Sequence, residues 1–307
     1  MIYFLQSPFK NNSTDADKDG SMIHLHGKEH NLGGGLFIHR ILPDRTKRMV
    51  GPFTFLDHMG PLTTEPDQNT DVRPHPHIGL STLTYLYEGR IVHRDSIGVT
   101  AEITPGEVNW MTAGKGISHS ERAHESERGK ARPLHGLQFW IALPDHLEDC
   151  DPSFQHYEKN QIPKLETNDC MLSLVAGQAF GLQSPVQTSS PMIFADGIAK
   201  NDFTFDLHIP NFELAIYIVE GSAKMDSQEI TKFEMLVAEK DQPLSVQIKK
   251  GTHFSIIGGE PFTTPRYMWW NLVSSSKEKI EATKKLWETQ QFPMVPGETE
   301  FIPLPKS

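Results

Sequence analysis

In Arg73-Pro74-His75-Pro76-His77 two imidazoles stand two residues apart, and in His119-Ser120-Glu121 an imidazole and a carboxylate repeat that spacing. On an extended strand, positions i and i+2 share a face, so each pair can offer two ligand atoms to one point. One such pair alone is more often a surface or hydrogen-bonded feature. The two pairs together say more. His77 and His119 are separated by 41 residues, punctuated by Gly89, Gly98, Gly106, Gly114 and Gly116, a natural path around a small antiparallel barrel. The spacing points to one shared metal site built from His75, His77, His119 and Glu121. Such a nitrogen-and-oxygen set accepts iron, manganese, nickel, copper or zinc.

Three neutral imidazoles and one carboxylate leave a divalent ion with net positive charge and open positions. That is a Lewis acid for a chelating enol, phenol or hydroxyketone, whose hydroxyl proton it makes easier to lose. Glu121 can alternate between ligand and base.

The elements that must carry these residues are strands. Segments rich in β-branched and aromatic residues, bounded by Gly, Pro, Asn or Asp, fall at 35–42, 53–56, 80–87, 108–112, 136–143, 171–175, 203–208, 214–219, 244–248 and 267–273. They predict an all-β protein made of barrels or sandwiches. One helix is expected over 276–291, capped by Ser275 with Glu278 three residues later, and with Ile280, Thr283, Leu286 and Trp287 on its packed face. The proline-rich tail 293–305 is expected to run extended along the surface. Tyr85-Leu86-Tyr87-Glu88-Gly89 is echoed 132 residues later by Tyr217-Ile218-Val219-Glu220-Gly221, which suggests a duplicated barrel. The expected division is 1–150, carrying the metal, and 151–307, a second barrel without metal followed by the helix and tail. At the same offset Leu207 and Ile209 replace His75 and His77, and His253 stands alone.

The run from His75 through Gly89, followed by Thr104-Pro105-Gly106-Glu107 and Met111-Thr112-Ala113-Gly114-Lys115-Gly116-Ile117-Ser118-His119-Ser120-Glu121, resembles the signature of the pirin family of cupins. Leu32-Gly33-Gly34-Gly35, Phe55-Leu56-Asp57-His58-Met59-Gly60-Pro61, Gly259-Glu260-Pro261 and Trp269-Trp270-Asn271 are similar to its further motifs, so the likeness spans nearly the whole chain. The tail 292–297 resembles that of longer, bacterial-type members. The resemblance implies a bicupin of two antiparallel, jelly-roll-type β-barrels with a short C-terminal helix. It implies an iron-type metal on His75, His77, His119 and Glu121, and quercetin 2,3-dioxygenase chemistry. A flavonol or other enolisable substrate and dioxygen are consumed, carbon monoxide is released, and Glu121 serves as the catalytic base. It also implies an alternative role as a metal- or redox-sensing regulator acting through a protein partner. The glutamate that other cupins place soon after the first histidine pair would fall near Ser81 or Thr82; in pirins the carboxylate comes from the second motif.

Charge and composition exclude other classes. A formal charge of −10, with no block of basic residues, disfavours direct nucleic-acid binding. Cys150 and Cys170 lack zinc spacing and form no disulfide framework. The segment from Met1 to Phe9 lacks a basic region and is not a signal peptide. No apolar run is long enough for a membrane span, so a cytoplasmic protein is expected. Leu32–Gly35 lacks a phosphate-loop motif and reads as a turn. His58 fits either a core position or a place behind the metal ligands. His93, His124, His135 and His146 read as surface or structural residues, and the tryptophans as core or domain contacts.

Overall fold

In a computed structural model, residues 22–305 are described; the segment from Met1 to Phe9 lies outside them. The chain is predominantly β, with one α-helix among the described residues, Lys277–Glu288. None of its described helices is long and apolar enough to cross a membrane.

Each half builds a large and a small antiparallel sheet. In the first half the large sheet runs Ser153–Tyr157, Val108–Thr112, Leu80–Glu88, Arg132–Ala142, Phe53–Thr64, Phe37–Leu42, Lys28–Asn31. Its small sheet runs Val72–His77, Ile117–Arg122, Ile91–Asp95, Thr100–Ile103. In the second half the large sheet runs Ile23–His26, Glu234–Ala238, Glu213–Glu220, His253–Gly259, Met192–Ala199, Cys170–Ala179, Lys164–Glu166, with Leu182–Gln183 paired to Cys170–Ala179. Its small sheet runs Phe203–Leu207, Leu244–Ile248, Ser222–Met225, Gln228–Thr231. The strand orders of the two halves correspond element by element. The two Tyr…Glu-Gly segments fall on matching central strands, each ending in a glycine of positive φ, +89° at Gly89 and +87° at Gly221.

The expectation of closed barrels is corrected. The sheets are open paths, so the cupin-type layout is present without a continuous ring of paired strands. One cause is visible at Val72–His77: Pro74 and Pro76 remove two ladder donors, which confines this strand to an edge.

Side-chain alternation makes two interiors and one seam. Along Glu213–Glu220, Leu214, Ile216 and Ile218 face the core of the second half, with Leu172, Phe205, Val246 and Phe254. The intervening Ala215, Tyr217 and Val219 face the first half, where Tyr85, Trp110 and Phe139 meet them and Phe194. Phe139 and Phe194 have ring centroids 4.7 Å apart.

The halves also exchange segments. Strand Ile23–His26, from the start of the described chain, completes the large sheet of the second half. The segment after the helix returns to the first half: Phe292 and Val295 are buried, Ser118 Oγ donates to the Pro293 carbonyl at 2.6 Å, and Ile302 N donates to Pro74 O at 2.8 Å. The tail thus covers the strands that carry the histidines. The helix cap is Ser276 rather than Ser275, its hydroxyl accepting from Lys279 N, and Leu286 is exposed while Ile280, Thr283 and Trp287 are buried. The segment 267–273 is a hairpin, Tyr267–Trp269 and Leu272–Ser274, not one strand.

Candidate metal centre

Strands Val72–His77 and Ile117–Arg122 are paired antiparallel, with His119 opposite His75 and Ile117 opposite His77. The alternation that the prolines share with the histidines sends His75 and His77 to one face, and His119 meets them there. Their ligand nitrogens lie within 4.8 Å of one another, and the three residues are 6%, 1% and 1% exposed. Glu121 stands outside that group. The register shifts between His119 and Glu121, which sets Glu121 opposite Val72. Thr84 Oγ1 lies 3.3 Å from Glu121 Oε1 and 2.8 Å from Gln138 Oε1.

Hydrogen bonds fix which ring nitrogens are free. His75 Nδ1 lies 2.9 Å from the Arg73 carbonyl and His77 Nδ1 3.0 Å from the Asn271 carbonyl. A carbonyl only accepts, so both Nδ1 atoms carry hydrogen and both Nε2 atoms present lone pairs. The tautomer of His119 is set through His93. Asp95 accepts His93 Nε2–H at 2.9 Å, so a neutral His93 has a bare Nδ1, which accepts His119 Nδ1–H at 3.3 Å. His119 Nε2 is then bare as well, and it sits 3.1 Å from His77 Nε2. Two lone pairs at that separation repel unless a cation lies between them. The donor set therefore fits a metal ion, and the carbonyls and the His93–Asp95 pair are the outer partners that ligating histidines require.

Burial agrees with this. It pushes His75 down to about 4 and holds His77 and His119 well below the ordinary histidine value, so the rings stay neutral and ready to ligate. Burial raises the Glu121 carboxyl, against the pull of His93 and the Thr84 hydrogen bond. Trp140 meets His77 edge-on at 5.2 Å and stacks on Phe55 at 3.9 Å, and Phe154 stacks on His93 at 4.6 Å. These rings make an apolar wall.

His93 lies in this network rather than on the surface. Its signal is present in the sequence: His93-Arg94-Asp95 repeats the two-residue spacing of the other pairs. His58 belongs to the seam between the halves. Its Nδ1 contacts Tyr217 Oη at 2.6 Å and its Nε2 contacts His135 Nε2 at 2.8 Å; burial pushes it down to about 2. His253 pairs with Asp196 at 2.9 Å, and Asp196 also accepts from Tyr87 Oη at 2.8 Å. In the second half, the strands corresponding to Val72–His77 and Ile117–Arg122 are Phe203–Leu207 and Leu244–Ile248, and Phe205, Val246 and Ile248 fill the interior.

Two matching β-rich halves, one with a histidine-lined interior and the other filled with aliphatic and aromatic side chains, define a bicupin. The Pirin profile matches residues 37–141 and the Pirin C-terminal cupin domain matches residues 194–293. The chain belongs to the pirin family. It is 44% identical to a pirin-like protein of Caulobacter vibrioides over 277 residues, 89% of this chain and 96% of the relative. It is 37% identical to a Pseudomonas aeruginosa protein provisionally named as a quercetin 2,3-dioxygenase, over 84% of this chain and 80% of the relative. The crystal structure of quercetin 2,3-dioxygenase from Acinetobacter baumannii superposes with a TM-score of 0.86 at 35% identity, covering 94% of this chain and 96% of that one.

Proposed function

We propose that the chain is a metal-dependent dioxygenase that opens flavonols such as quercetin, with His75, His77 and His119 holding one divalent ion through Nε2. The observation that carries this reading is the convergence of three buried nitrogens whose lone pairs have no protein hydrogen between them. The names of the relatives supply the substrate class. Iron is the ion the family resemblance implies. When bound, a divalent ion supplies Lewis acidity toward the hydroxyl and adjacent carbonyl of a flavonol.

The remaining work falls to side chains. Glu121, with its carboxyl raised by burial, accepts the flavonol 3-hydroxyl proton at a carboxylate oxygen, and can turn to join the ligands once Thr84 releases it. His93 and Asp95 keep the His119 proton on Nδ1 and so keep Nε2 open. Trp140 and Phe55 exclude water beside His77. Over the whole reaction the flavonol gains both atoms of dioxygen and loses one ring carbon as carbon monoxide, leaving a depside. The metal chemistry belongs to residues 1–150, while 151–307 shores up the seam and supplies the Asn271 carbonyl.

A second reading, a regulator whose metal state biases a partner surface, has one observation in its favour. Ser118, Ser120 and Arg122 alternate with His119 and Glu121, and they hold the C-terminal tail: Ser120 Oγ donates to Glu298, and Arg122 pairs with Glu298. In this reading a change at the ligands would reach the tail through these contacts.

Metal-reconstituted protein mixed with quercetin decides between them. Oxygen uptake matched by carbon monoxide, both abolished in His119→Ala, supports the enzyme. Intact metal binding without gas release defeats it and leaves the regulator.

A further inference from the structure

A second histidine pair with the same spacing, His24-Leu25-His26, lies on strand Ile23–His26, far from the first centre in both sequence and sheet. That strand pairs antiparallel with Glu234–Ala238, with His26 directly opposite Glu234 and His24 opposite Leu236. Since i and i+2 share a face, both imidazoles and the Glu234 carboxylate emerge on the same side of the sheet.

We propose that His24, His26 and Glu234 form a second divalent-metal site, suited to Zn²⁺, which clips the N-terminal strand to the second half. One ligand atom from each residue lies within 4.8 Å of the others. His26 Nδ1 is 2.8 Å from Glu234 Oε1, His24 Nε2 is 3.5 Å from Glu234 Oε2, and the two ring centroids are 4.1 Å apart.

The telling atom is His24 Nε2. It is buried and has no hydrogen-bond partner. The other nitrogen of this ring, Nδ1, meets the side-chain amide of Gln228. The Gln228 amide nitrogen faces Nδ1 and donates to it, so Nε2 carries the ring hydrogen, points toward Glu234 Oε2 from 3.5 Å without completing a hydrogen bond, and gives that hydrogen up when an ion binds. Glu234 Oε2 is already oriented by Thr231 N–H at 2.7 Å, so the carboxylate is held in place.

Two imidazoles and a carboxylate form a donor set that zinc, a borderline ion, takes, and three protein ligands leave a position for water. The His26 side chain is 64% exposed, which gives the ion a route in from solvent. This site shares no residue with the first centre and stands whether or not the dioxygenase reading does.

The test uses the full chain without an affinity tag, stripped with a chelator, equilibrated with Zn²⁺ alone and dialysed before elemental analysis. Wild type should hold two ions. His26→Ala and Glu234→Gln should each hold one, His77→Ala one, and the double variant His26→Ala/His77→Ala none. Zn²⁺ should raise the Tm of His77→Ala but not that of the double variant. His26→Ala should retain the wild-type rate of quercetin-dependent oxygen uptake, which separates this site from the first. Wild type saturating at one ion, or His26→Ala and Glu234→Gln both holding two, overturns the proposal. Because His26 is exposed and is replaced in an otherwise wild-type chain, the ion count decides the matter even where His77→Ala fails to fold.

Discussion

Strands Val72–His77 and Phe203–Leu207 hold corresponding edge positions in the two small sheets, as do Ile117–Arg122 and Leu244–Ile248 beside them. In the first half these strands turn His75, His77 and His119 inward, and each imidazole Nδ1 is matched to a hydrogen-bond partner. In the second half they turn Phe205, Val246 and Ile248 inward onto Leu214, Ile216 and Phe254. One scaffold thus tolerates two interiors. The polar one must account for every nitrogen, since an unpaired buried polar group costs about 1–3 kcal/mol. The apolar one needs only shape, and each well-buried side chain contributes about 1.5–3 kcal/mol. At these positions the second half therefore gains burial that the first, which gives them over to ligation, does not.

Truncating the apolar interior should have the largest effect. Phe254→Ala should lower the unfolding free energy by about 3–5 kcal/mol, read from urea melts, while the folded fraction still binds metal at the first centre. Loss of metal at that centre without loss of stability would break the division of labour. On the polar side, Asp95→Asn should weaken metal binding at the first centre by about 10–100-fold, as loss of an outer partner commonly does. Chelator competition measures it, and an unchanged affinity would remove His93 and Asp95 from the ligand network.

The pH response sharpens the contrast between buried and exposed imidazoles. A proton competes with metal only where the ring titrates, and burial holds His75 at about 4 and the other two well below the ordinary histidine value. Affinity at the first centre should then stay level from neutral pH to roughly pH 5 and fall only as pH drops through the lowered values. A triad with ordinary histidine values would instead lose affinity from about pH 6.5 downward. Titration of metal binding against pH distinguishes the two.

The smallest effect concerns the tail that covers the first half alone. Hydrogen bonds from Arg122 and Ser120 hold the Glu298 carboxyl below the usual range, although burial opposes them. The stabilisation is therefore present above the ordinary glutamate value and lost as pH falls through the lowered one. Glu298→Gln replaces one of the two oxygens that accept from Arg122 and Ser120 with a donor and should cost about 1 kcal/mol. A larger change in the chemical melt would make the tail a main support of the centre.

The histidine spacing and the strand pattern are readable in the sequence because both are local. An i, i+2 pair announces its shared face, and 108–112 and 244–248 appear as strands with the predicted bounds. The duplication is readable in one pentapeptide and is spelled out in full by the matched strand orders. His93-Arg94-Asp95 is equally local, but its spacing alone only joins a histidine to a carboxylate. The sheet register, which sets Asp95 opposite His119, is what puts that pair behind the metal ligands. The Asn271 carbonyl is not legible, since it reaches His77 only because the chain turns between Trp269 and Leu272 and lays that hairpin beside Ile78. Nor is the pairing of His26 with Glu234, separated by 208 positions and joined only by sheet register. The two barrels are what the family resemblance implies, but the strand pattern alone says nothing about edges, and Pro74 and Pro76 set one.

The most direct measurement is X-ray absorption at the zinc edge on His26→Ala protein loaded with Zn²⁺, which leaves a single ion to observe. The account predicts the multiple-scattering signature of three imidazoles at one zinc, reduced to two in His75→Ala. A spectrum with fewer than three imidazoles in the His26→Ala protein, or one unaltered by His75→Ala, would contradict it.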